Sequence, residues 1–253
     1  MKKIIMISGK ARHGKDSIAK ILTDKLIKDN YKCCTVALAD YLKYMLYKYK
    51  NWNGEKNENG RMLLQTIGTD LIRNKLGWET FHAERLAQDI KIFENDYDYF
   101  IIPDARFINE IAYMTAKFPY NIITIRVNRL NFTSPLTKEQ QSHPSETDLD
   151  NYKGFDYIIN CENGLDKLEK EVKKIYEELI GDDNLNDIPI PSKVKVIKIN
   201  NTIKAEHLKP YIGRKGITKY NPIIKHNIKR WKVIFDEKTR ESAYFRRSEL
   251  EVI

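Results

Sequence analysis

"ISGKARHGKDSIAK", residues 7–20, takes the chain out of an apolar strand, past two glycines and a lysine, and into an amphipathic segment. The spacing Gly9, four residues, Gly14, Lys15 is that of a phosphate-cradling loop, with Asp16 where Ser or Thr is usual and Ser17 one position later. Such a loop needs glycines so that backbone N–H groups can turn inward, and a helix starting behind it whose N-terminal dipole favours negative charge. Gly9, Gly14, Lys15 and the helix predicted after Asp16 supply each of these in strand, loop, helix order. Asp16 also suits a first helical turn as a dipole partner, and Ser17 still offers a hydroxyl.

The same alternation continues outward from this stretch. Ile18, Ile21, Leu22 and Leu26 fall at helical spacing, and "YKCCTVALAD" (31–40) reads as a second buried strand leading into a helix through Tyr49. "NWNGEKNENG" (51–60) is a polar loop, followed by two predicted helices with Gly77 between them. "YDYFIIPDARF" (97–107), "YNIITIRVNR" (120–129) and "FDYIIN" (155–160) are predicted strands, and residues 164–180 a final amphipathic helix. Between the last two strands lies a long polar segment of the kind that is usually functional. Strands alternating with helices predict an α/β fold with a five-stranded parallel sheet flanked by helices. Ligands in such sheets bind beyond the carboxyl ends of the strands, which places Gly9–Ser17, Asp40, Asp104–Arg106, Arg126–Arg129 and Asn160 along one edge.

Charge divides the chain differently. Of the net charge of +9, residues from Ser192 onward carry +10, with 16 Lys/Arg against 6 Asp/Glu, so the rest is close to neutral. "GDDNLNDIPIPS" (181–192) reads as a linker, and the short strands predicted after it, without helices between them, suggest a small β-barrel-like (SH3-like) domain. The expected organisation is residues 1–181 as one domain, 182–192 as linker, and 193–253 as a small basic all-β domain. Basic residues interleaved with aromatics, as in "KHNIKRWKVIF", leave nucleic acid or protein contact open for that region. No apolar run approaches the length of a membrane span. Cys33, Cys34 and Cys161 show no metal-ligand spacing and read as ordinary thiols of a reducing cytoplasm. The Lys-, Asn- and Ile-rich usage fits an AT-rich, phage-like source, in which case the compartment is the host cytoplasm.

"GKARHGKDS" resembles the phosphate loop of viral deoxynucleoside monophosphate kinases and their P-loop small-molecule kinase relatives. "LLQTIGTDLIR" is similar to a helix of that family, with Asp70 in place of Glu, "IIPDARFINE" resembles its DxRFxNE signature, and "HPSE" with "IINCENGLDKL" its closing segment. The resemblance covers residues 1 to 180 in order and stops before the basic tail. It implies a P-loop kinase fold and ATP-dependent, Mg2+-assisted phosphorylation of a (deoxy)nucleoside monophosphate. Lys15 would bridge the donor phosphates within a loop of Gly9, Lys10, Ala11, Arg12, His13, Gly14, Asp16 and Ser17. Arg126 and Arg129 would close over the donor, with Asn160 beside it. Asp104 and Ser17 are the candidate metal contacts, and Asp104, Arg106, Arg129 and Lys15 the candidate catalytic set. Asp40, Lys43, Gln65, Thr69, Arg73, Arg106 and Glu110 would hold the acceptor, since guanidinium forks match phosphate oxygens.

Each feature also has a plainer reading. Asp104 with Arg106 can be a local ion pair, Arg73 a solvated helix face, His143 a structural hydrogen-bonding group, and Gln65 and Thr69 polar packing. Two other functions compete with the first: a P-loop kinase of another small acceptor such as dephospho-coenzyme A, and a nucleic-acid-binding protein built on a degenerate P-loop domain. The preferred base and sugar have no local signature, and a homodimer stays open.

Overall fold

In the computed structural model, the described residues are 3–55, 57–119, 121–162, 164–181, 192–199, 203–218, 223–225, 228–236, 239, 241–246 and 249–253. Most of the predicted linker therefore lies outside them. Elements run β1 (Lys3–Ser8), α1 (Lys15–Lys28), β2 (Cys33–Thr35), α2 (Asp40–Lys50), α3 (Glu58–Gln65), a π-helix (Thr66–Lys75), α4 (Phe81–Phe93), β3 (Tyr99–Ala105), α5 (Ile108–Lys117) and β4 (Ile122–Arg129). Two short helices follow, α6 (Lys138–Ser142) and α7 (Pro144–Thr147), then β5 (Tyr157–Cys161) and α8 (Leu165–Gly181).

The first five strands form the expected sheet, in the order β2-β3-β1-β4-β5, with every pairing parallel. Strand periodicity explains its two-sided core. Ile5 and Ile7 of β1, with Tyr99 and Ile101 of β3 and Ile123, Ile125 and Val127 of β4, pack against α1 and α8. Their alternates Ile4, Met6, Phe100, Ile102 and Ile122 meet α4 and α5 on the other face. Each such side chain contributes about 1.5–3 kcal/mol by leaving water. Because β1 is central, with β3 and β4 on its two sides, its carboxyl end and the loop after it lie at the middle of the sheet edge.

Three expectations are corrected locally. The second strand is only Cys33–Thr35; the Val36 amide still donates to the Ile101 carbonyl at 3.0 Å, and residues 37–39 then leave the sheet because Asp40 takes the Ala37 amide and Asp104 those of Leu38 and Ala39. The helix predicted from Arg61 starts earlier, at Glu58, because the Asn57 side chain caps it by accepting the Gly60 N–H at 2.9 Å. Its continuation is wound as a π-helix over ten residues.

The tail forms a separate antiparallel sheet of β6 (Ser192–Val196), β7 (Lys215–Thr218), β8 (Ile223–Lys225), β9 (Ile228–Asp236), β10 (Glu241–Arg246) and β11 (Leu250–Val252). Trp231, Val233, Phe245, Val194 and Val196 make its core. A 3-10 helix (Ile203–Tyr211), which brings Leu208 and Tyr211 to that core, stands where only strands were expected. The strand path, β10-β9-β7-β6-β11 with β8 on β9, does not close among the described residues. Arg246 reaches the first body, donating to the Tyr157 hydroxyl at 3.3 Å.

Candidate active site

Beyond the end of β1 the chain turns through two left-handed residues, Arg12 at φ 61° and Gly14 at φ 96°, and Gly14 leads into α1. Glycine at position 14 avoids the strain a side chain would meet there. Gly9 is required for a different reason: a Cβ on it would lie 2.7 Å from both the Val127 side chain and the Val127 carbonyl. Lys15 folds back under the loop and donates to the carbonyls of Gly9 at 2.7 Å and Lys10 at 2.8 Å. It is buried, and burial together with the nearby Arg106 charge lowers its pKa to about 7. The loop is braced from the side, since Lys10 pairs with Asp150 at 2.8 Å and the Arg129 amide donates to His13 Nδ1 at 3.2 Å.

Across the sheet edge, Asp104 at the end of β3 accepts N–H groups from Leu38 at 2.8 Å and Ala39 at 3.1 Å. It fixes the β2–α2 connection, and burial raises its pKa. Arg106 donates to the Ser145 carbonyl at 2.9 Å and pairs with Glu146. Arg73, from the π-helix, pairs with Glu110 while lying 4.0 Å over the Phe107 ring. Both partners are almost wholly buried, with side chains 5% and 4% exposed. Glu110 also accepts the N–H groups of Arg106 and Phe107, which caps α5. Arg73 is therefore no solvated helix face.

These groups surround a cavity of about 400 Å3. Of the residues singled out in the sequence, Ala11, Arg12, Lys15, Asp16, Lys43, Gln65, Thr69, Arg73, Asp104, Arg106 and Glu110 line it. Others stand outside it. Arg126 is buried, bonded to Ser8 at 3.0 Å and Asp150 at 2.9 Å. Asn160 accepts from Asn128 at 3.0 Å on the last strand, and Asp40 holds the Ala37 amide and Lys43, each at 2.7 Å. Arg129 lies against the loop, donating to the Arg12 carbonyl at 3.2 Å, and Ser17 sits in the first turn of α1. His143 Nδ1 accepts the Ser145 N–H at 3.2 Å, which caps α7 in line with its structural reading.

Sequence reasoning missed several lining residues: Arg61, His82, Leu136, Gln140, Ser145 and Glu146. Glu146 was visible only as part of "HPSE", where the proline at the first helical position marked a helix start. His82 carries no motif; burial holds its pKa at about 4, so it stays neutral while Nε2 lies 3.3 Å from the Gly68 carbonyl. Among the described residues no three His, Cys, Asp or Glu side chains cluster as a metal cage. Mg2+ asks little of the protein when phosphates and water supply most of its oxygens. The cavity wall carries six cations, Arg12, Lys15, Lys43, Arg61, Arg73 and Arg106, against four carboxylates, Asp16, Asp104, Glu110 and Glu146, and that excess of donors fits phosphate oxygens better than a protein-held cation.

Residues 50–172 match the family model for deoxynucleotide monophosphate kinase. The kinase match covers just under half of the chain and includes Gln65, Arg73, Asp104, Arg106, Glu110 and Glu146, while the phosphate loop precedes it and the second sheet follows it. The kinase-type reading of the "DARF" stretch thus agrees with the family. Solved structures with a similar course include the Mycobacterium tuberculosis APS kinase in complex with AMPPNP and APS, at 12% identity and a TM-score of 0.43, covering 69% of this chain and 97% of that one. A cysteine-to-alanine mutant of the same enzyme gives 12% identity, a TM-score of 0.40, and coverage of 69% and 96%. No curated protein matches the chain by sequence. No helix among the described residues is long and apolar enough to cross a membrane.

Proposed function

We propose that this protein transfers the γ-phosphoryl group of ATP, with Mg2+, to a deoxynucleoside monophosphate. The observation that carries the reading is the single cavity in which Lys15 of the phosphate loop and Arg106 of the "DARF" turn face the polar side chains Gln65 and Thr69. Phosphoryl transfer asks mainly for two phosphates held in line and for positive charge where negative charge develops. In this reading Lys15 and the inward loop amides hold the donor phosphates, and Arg106 takes the acceptor phosphate. Lys43 and Arg61, also on the cavity wall, add charge on the acceptor side. Gln65 and Thr69 offer both donors and acceptors to a base edge. Mg2+ would be held chiefly by the donor's own oxygens and water, with Asp104, which lines the cavity, as the protein group of the right chemistry.

The test is ADP production from ATP and Mg2+ with a panel of deoxy- and ribonucleoside monophosphates and dephospho-coenzyme A, with Lys15→Ala as control. Turnover with one or a few deoxynucleoside monophosphates, lost in the control, is the expected result. Turnover with dephospho-coenzyme A alone, or with no acceptor, overturns the proposal.

A further inference from the structure

Glu146 has no part in the transfer described above, yet it sits among the groups that the transfer uses. One carboxylate oxygen accepts the N–H of Ala11, inside the phosphate loop, at 2.8 Å. The other pairs with Arg106, whose same nitrogen also donates to the Ser145 carbonyl. The side chain is 6% exposed and lines the cavity. Burial by itself would raise its pKa, but Arg106, the Ala11 amide and Lys15 together outweigh burial and hold the carboxyl below its ordinary value. An anion is thus kept charged on a loop amide and an arginine, the two kinds of donor that a substrate phosphate needs.

We infer that Glu146 competes with a substrate phosphate for the Ala11 amide and Arg106, clamping α7 onto the phosphate loop, and that an incoming phosphate exchanges with it. The inference rests on reading this cavity as a phosphoryl-transfer site. Exchange costs little in hydrogen bonds, because each donor trades one anionic oxygen for another, and a phosphate brings more charge and more oxygens than a carboxylate. With Glu146 in place, the buried loop amide and the half-buried arginine both have an anionic partner from within the chain. Glu146 acts here as a positioning residue, through Arg106 and the loop. Leu136 and Gln140 line the cavity from the same polar segment as Glu146.

The experiment is equilibrium binding of inorganic pyrophosphate to the full chain and to Glu146→Gln, by calorimetry, with hydrogen exchange of both. The glutamine keeps the shape and an acceptor for Ala11 but removes the competing charge. Pyrophosphate is expected to bind the variant about tenfold more tightly, the worth of one charge-assisted bond no longer displaced. In the natural chain pyrophosphate should protect residues 9–15 and speed exchange over residues 144–149; in the variant the second stretch exchanges fast from the start. Should the glutamine variant fold poorly, Glu146→Asp, which withdraws the charge by one methylene, should still tighten binding to a smaller degree. Unchanged or weaker binding, protection of residues 144–149 by pyrophosphate, or no binding to either chain overturns the inference. Because the readout is binding, a failure of the acceptor panel leaves this result standing on its own.

Discussion

Lys15 is buried with the carbonyls of Gly9 and Lys10 as its hydrogen-bond partners, so its charge is poorly compensated until an anion arrives. With its pKa near 7, the lysine is largely neutral at alkaline pH, and a bound phosphate should draw its pKa back up. Donor binding at about pH 8.5 should therefore take up close to one proton, and at about pH 5.5 almost none. Calorimetry in buffers of different ionisation enthalpy reads this directly, and uptake independent of pH would contradict it. The same depression has a stability consequence. The unfolded chain holds this proton up to about 10.5 and the folded one only to about 7, so this residue makes the fold more stable as pH climbs through that window. Arg73 and Glu110 are a different case, since each is buried against the other. Removing one partner strands the second, so Glu110→Ala should cost about 3–5 kcal/mol in urea unfolding, while adding Arg73→Ala should return part of that loss. Additive costs would show that the pair is not coupled.

At the scale of elements, the π-helix Thr66–Lys75 lines the cavity with Gly68, Thr69 and Arg73, on the side that the proposal gives to the acceptor. A π-helical stretch of ten residues is unusual, and such windings are frequent at functional sites. Gly68 in it faces Leu42 of α2 so closely that an added Cβ would stand 2.6 Å from Leu42 Cδ2. Leu42 is itself buried and lines the cavity, so Gly68→Ala should push it inward. The expected cost is about 1–3 kcal/mol of stability, with KM for the acceptor rising more than kcat falls. A change in kcat alone would place the effect elsewhere. The winding was not legible in the sequence, because the apolar residues of "LLQTIGTDLIR" recur at a spacing that an α-helix satisfies equally well. By contrast β1, β3 and β4 are buried on both faces, and such strands read as continuous apolar runs. Glu146 escaped notice for a third reason: its significance lies in a contact 135 residues away along the chain.

For the whole molecule, the two sheets share no strand, and the phosphate loop, the cavity walls and both faces of the first core all lie within residues 3–181. We propose residues 1–181 as the catalytic unit and 193–253 as an appended basic module. A chain ending at Gly181 should fold cooperatively and retain turnover, read by circular dichroism and ADP production; an unfolded product would show that contacts such as Arg246 to Tyr157 are essential. In the sequence the proposed division rests on charge and on the acidic, proline-bearing stretch at residues 181–192. The sequence did not reveal the 3-10 helix, whose Pro210 and mixed polarity carry no periodic signal. The central position of β1 bears on how the protein is made. This strand is synthesised before both of its neighbours, so it gains its first partner, β3, only after about residue 105 and its second, β4, only after about residue 129. Pairing of such sequence-distant parallel strands is intrinsically slow. Until those partners emerge the nascent chain carries an apolar strand ending in an unformed phosphate loop, the kind of transiently exposed surface that chaperones cover.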